Sequence, residues 1–247
     1  MTEFEKIDLV NAFYQLRQGA DLINDLGNFH DNFFNFDNSI DPERLDIHKN
    51  LPDESEREIF LAWHRRQMLE LEHSMQDINP NISLPFADWR VENSIDSPLW
   101  DYDFMGQFDI DWNLNRRFNA SFSLPTNVDI QNVQEISSEF FIYSNVLERG
   151  VVHAGPHNWI GGFMGGGSSP KYPVFYLQHT FVDKLWNEWE ETYGNSGYLR
   201  TDMLRYDGTY IFDGNTLPLV NPNDILNLII LEFFMQKINW QHCMIMK

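Results

Sequence analysis

His153 and His157 stand four residues apart, a spacing that puts two imidazoles on one side of a helical turn. His179 follows inside a stretch rich in aromatic residues, with Asp183 one turn further on, where a carboxylate can orient an imidazole. A lone H-x3-H pair is a common surface accident. A third histidine with a carboxylate at +4 points instead to a metal held in the core of a helical bundle. His64 belongs to the same pattern, mid-helix with Met68, Leu71 and Glu72 on its face; it reads either as a satisfied core histidine or as a ligand. Neutral imidazoles with no thiolate and no clustered carboxylates suit copper, zinc or iron better than magnesium or calcium. The H-E-x-x-H pattern of zinc proteases is absent.

The rest of the chain reads as helices joined by long loops punctuated with Pro and Gly. Phe4 to Leu26 has roughly helical apolar spacing, with a break at Gly19. Ser55 to Glu58 has the S-x-x-E form of a capping box and opens a second helix running to about Ile78, where Asn79-Pro80 stops it. A third is expected over Gln131 to Arg149. Gly155-Pro156 is read as the start of the next helix, with His153 at its entrance. Another follows Ser169-Pro170 and ends near Gly194, and Asn223 or Asp224 can cap a last short one. Leu84 to Ala120 shows no sustained periodicity and reads as a packed irregular loop. The expected architecture is mainly α, a four-helix bundle core with long irregular loops and little β.

A length of 247 residues suits one domain. The formal charge of −20 argues against nucleic acid or an anionic membrane surface as partner, since either needs a basic patch. The charge does not indicate disorder, because 43% of residues are hydrophobic and 15% aromatic, far above what unfolded acidic chains carry. The single cysteine, Cys243, rules out an intramolecular disulfide and Cys-based zinc or iron–sulfur sites. The charged N-terminus has no apolar h-region, and the run from Leu226 to Met235 is too short and too polar to span a bilayer. A soluble, by default cytoplasmic, protein is expected, with export alongside a helper chain left open.

Longer motifs surround these histidines. His153-Ala154-Gly155-Pro156-His157 continues into Ile160-Gly161-Gly162-Phe163-Met164, then Ser169-Pro170, Pro173, Phe175 and Leu177-Gln178-His179-Thr180-Phe181-Val182-Asp183-Lys184-Leu185-Trp186. Upstream lie Phe60-Leu61-Ala62-Trp63-His64-Arg65-Arg66, Pro85-Phe86-Ala87-Asp88-Trp89 and Ser97-Pro98-Leu99-Trp100-Asp101. In this order they resemble the type-3 copper family of tyrosinases, catechol oxidases and molluscan-type haemocyanins, and most of all its compact bacterial members. The resemblance runs from about residue 10 to 225. It implies a copper domain over residues 1–225 and leaves 226–247 as a C-terminal tail of uncertain structure.

The resemblance further implies two copper ions that bind O2 between them and oxidise a small phenolic substrate, an o-diphenol to an o-quinone and a monophenol more weakly. By position, His153, His157 and His179 would hold one copper and His64, His48 and His30 the other. His48 lies sixteen residues before His64, where the family has about nine, so an insertion is read between Asn50 and Arg57. Asp183 and Glu72 are candidates to support the ligands, with Arg65 able to neutralise one of them. Glu148 resembles the family's water-holding glutamate. Ala154 stands where strong monophenol oxidases carry asparagine, which favours o-diphenol oxidation. Gln178, Tyr172 and Ala87 also depart from the family's pattern, and no cysteine lies near His48 for a Cys–His thioether. A covering domain is not seen, so substrate is expected to reach the metals without proteolysis. A helper protein for copper loading or export is compatible with this picture. So are an oxidase of o-aminophenols or peptide tyrosine, and an O2-binding or degenerate copper module without turnover.

Overall fold

The computed structural model of the chain describes residues 1–19, 21–33, 60–194, 209–212 and 215–218. Among the described residues the fold is mainly α, built round a bundle, with one small β hairpin. Helix α1 (Glu3–Gln18) opens on a reciprocal cap, in which Thr2 Oγ1 accepts from the Glu5 N–H and the Glu5 carboxylate from the Thr2 N–H. It buries Leu9, Val10, Ala12 and Phe13 and stops at Gly19, where the break was expected. Helix α2 (Leu22–Phe33) then runs past Leu26 and carries His30 in its last turn. Helix α3 (Phe60–Gln76) buries Phe60, Leu61, His64, Met68, Leu71 and Met75 along one side. The Ser55 cap, His48, the proposed final helix and the boundary near residue 225 lie outside the described residues.

Three expectations are corrected. The stretch from Leu84 to Ala120 is not wholly irregular: it holds a 3-10 turn at Pro98–Trp100 and helix α4 (Met105–Asp111). The helix expected over Gln131 to Arg149 is two, α5 (Asn127–Gln134) and α6 (Phe140–Arg149). Ser137 separates them: its hydroxyl accepts from the Glu139 N–H and its carbonyl from the Trp189 indole, which competes with helical pairing. Helix α7 starts at Val151, four residues before Gly155, and runs to Ile160 with Pro156 inside it. His153 is therefore within the helix, not at its entrance.

Helix α8 (Val174–Tyr193) is the spine. It is buried along much of its length, α3 lies along it, and α7 packs on both α6 and α8. Helix α2 packs on the 3-10 turn Ser169–Lys171 that leads into α8. Glycine permits that approach, because a Cβ on Gly27 would lie 2.4 Å from Lys171 Cγ and 3.2 Å from its main-chain nitrogen. Strands β1 (Thr209–Phe212) and β2 (Asn215–Pro218) pair antiparallel, Thr209 opposite Pro218.

The turn after α7 is set by a pair of glycines. Gly161 and Gly162 both have positive φ, and a Cβ on Gly162 would fall 2.2 Å from the Asn115 carbonyl. The loop at 114–117 grips this turn through Arg117 N–H to Ile160 O and Phe163 N–H to Leu114 O. Gly162→Ala is therefore expected to destabilise the fold by about 2 kcal/mol or more, combining a left-handed backbone with a backbone clash. Denaturant midpoints of the two proteins check this, and equal midpoints would contradict it.

Candidate metal centre

Five of the six histidines assigned by resemblance fall within the described residues, and the bundle brings all five together. His153 and His157 come from α7 and His179 from α8, and their ligand nitrogens lie within 4.8 Å of one another. His30 from α2 and His64 from α3 face each other with their Nε2 atoms 3.4 Å apart. The two groups adjoin: the His64 and His179 rings stack at 4.0 Å between centroids, 8° from parallel.

The protonation of these rings follows from their partners. His64 Nδ1 bonds the Phe60 carbonyl at 2.7 Å, His153 Nδ1 the Glu148 carbonyl at 2.6 Å and His157 Nδ1 the Met164 carbonyl at 2.7 Å. His30 Nδ1 bonds the Gly167 carbonyl. A carbonyl only accepts, so Nδ1 carries the hydrogen and the neutral ring presents a lone pair at Nε2. His30 and His64 therefore aim two lone pairs at each other. Such a contact is repulsive until a cation is drawn towards the nitrogens. His157 Nε2 lies 3.3 Å from His179 Nε2, while His179 Nδ1 is buried with no hydrogen-bond partner among the described residues. Burial, with the neighbouring imidazoles, holds His179 well below the ordinary histidine range and keeps it neutral. This donor set fits a soft-to-borderline metal such as copper.

Among the described residues, two aromatic rings wall the centre. Phe60 packs on His64 and His153 with centroids 4.8 and 4.7 Å away, and Phe175 on His179 at 4.1 Å and on His30 at 5.5 Å. Each stands one turn before a histidine of its own helix, at i and i+4. That repeated spacing was a signal the motif reading passed over. Trp63 adds an outer contact to His30 and stacks on Phe29.

The carboxylates divide. Arg65, 1% exposed, bonds Asp183 at 2.6 Å and Glu190 at 3.1 Å and lies over the Trp186 ring at 3.6 Å. Of the two carboxylates the sequence offered it, Asp183 and Glu72, it pairs with Asp183, and it also pairs with Glu190, which sequence reasoning missed. The Glu72 carboxylate accepts from the Leu84 N–H at 3.0 Å and from Gln76, tying the following loop to α3. Glu148 is buried at the end of α6, where its main-chain carbonyl holds His153, and Ala154 is half-buried in α7.

Comparison with known proteins accords with this geometry. Residues 21–120 and 107–192 match the family described as the common central domain of tyrosinase. The chain is 34% identical to the tyrosinase of Streptomyces glaucescens and 33% to that of Streptomyces antibioticus, in each case over 57% of this chain and 65% of the relative. It is 24% identical to the grixazone synthase of Streptomyces griseus over 53% of this chain and 64% of that protein. The chain thus spans a little under two thirds of these relatives. With the matched segments running through both histidine groups, the chain belongs to the tyrosinase family.

Proposed function

We propose that the protein is a dinuclear copper oxidase that uses O2 to convert o-diphenols to o-quinones, and monophenols more slowly. The pair of adjoining histidine groups carries this reading. His153, His157 and His179 would hold one copper; His30 and His64 would hold the other, with His48 as its third ligand. Copper, when bound, supplies O2 activation and accepts the electrons of the phenol. The chain's own part is to hold neutral rings with Nε2 inward, through the Nδ1–H bonds, and to keep water out with Phe60 and Phe175. Asp183 serves at one remove, by anchoring Arg65 and hence α3 against α8. Purified chain with two coppers and catechol oxidation is the expected result. One copper or none, or O2-dependent absorbance with no quinone formed, would overturn it.

Monophenols make a further demand, because a phenol with a pKa near 10 needs a base. In this proposal Glu148 holds the water that receives the proton. Ala154 offers no side-chain hydrogen bond to position that water. Ala154→Asn is therefore expected to raise monophenol relative to diphenol turnover by about tenfold or more. An unchanged ratio in steady-state assays would count against it.

A further inference from the structure

Pro156 leaves a gap in α7. In a regular helix the N–H of residue 156 would donate to the Val152 carbonyl, and proline has none. The missing donor comes from another helix. Gln178 of α8, fully buried, directs its Nε2 to the Val152 carbonyl and the His153 carbonyl, 3.2 Å from each. Its Oε1 accepts from the Trp89 indole N–H. Since an indole only donates and carbonyls only accept, the partners fix which way the amide points. Gln178 also directly precedes His179. One side chain therefore joins the backbone of α7 at Val152 and His153 to α8 at the residue before His179.

We infer that Gln178 is a positioning residue for the copper centre proposed above, its amide replacing the N–H that Pro156 removes and so holding His153 and His157 in register with His179. The inference rests on that reading for its functional meaning and on the hydrogen bonds for its structure. Gln178→Met keeps the volume and removes the donor to the Val152 and His153 carbonyls, together with the acceptor of the Trp89 indole. Copper(I) binding should weaken about 10- to 100-fold, as for other losses of ligand-supporting partners. Pro156→Ala restores a main-chain N–H to the same carbonyl. The loss caused by Gln178→Met should then shrink by about tenfold in the Pro156→Ala background.

The test is a double-mutant cycle on wild type, Gln178→Met, Pro156→Ala and the double variant. Each metal-free protein is titrated with copper(I) against a chromogenic chelator and also melted without metal. A purely space-filling role for Gln178 would give the same loss in both backgrounds, and that result overturns the inference. So does Gln178→Met binding copper as wild type does. If Gln178→Met fails to fold, recovery of the fold in the double variant supports the inference, and failure of both overturns it. A wild type that took no copper would sink the proposed function, whereas the metal-free melts would still judge the coupling of Gln178 to Pro156.

Discussion

His179→Asn should leave the chain folded but unable to fill its metal centre. Copper should fall below two per chain and catechol oxidation by more than about 100-fold. That exceeds what losing a partner that merely orients a ligand costs, because here the ligand itself goes. Asparagine is the informative replacement. Alanine would also open a cavity beside Phe175 and His64, on which the ring packs, so lost activity could not be separated from lost structure. Metal analysis alongside oxygen uptake reads the result. Full copper loading with wild-type turnover would remove His179 from the ligand set and with it the two-metal reading.

Arg65→Met should have the largest effect on stability. The guanidinium sits between α3 and α8, bonded to Asp183 and Glu190 and stacked on Trp186, and the Glu190 side chain is only 6% exposed. Methionine fills much of the space but takes the Arg65 guanidinium away from a buried carboxylate, at a cost of about 3–5 kcal/mol. A fall in Tm of roughly 10 °C or more follows for a domain of this size. Asp183→Asn should cost much less, since Asp183 is partly exposed and Arg65 keeps Glu190. Thermal melts of the two variants should rank in that order. Equal melts, or the reverse order, would show that the ion pairs do not clamp the two helices.

The helical architecture and most of the centre were legible in the chain because both depend on local spacing. His64, His153, His157 and His179 stood out through helical periodicity and ordered motifs, and Gly19 marked the end of α1. What the sequence hid were effects of partners distant in the chain. Proline inside α7 reads as a helix start until Gln178, twenty-two residues later, is seen to supply the missing donor. The break between α5 and α6 depends on Trp189 taking the Ser137 carbonyl, fifty-two residues away. Arg65 could have answered Glu72, Asp183 or neither; only the packing of α3 on α8 turned it to Asp183 and Glu190. Glu72 looked like a support for the ligands because it shares a helix face with His64, yet the loop after α3 claims its carboxylate.

Four of the imidazoles are held by main-chain oxygens, those of Phe60, Glu148, Met164 and Gly167. Such acceptors are specified by no codon. Every amino acid carries that oxygen, so the aim of the rings is inherited from the course of the polypeptide; at Gly167 the residue itself also matters, because a Cβ there would fall 2.2 Å from Asp31 Oδ1. Drift at Phe60, Glu148 or Met164 can alter what surrounds the centre while leaving these oxygens in place, whereas a change that re-routes the backbone turns the rings themselves.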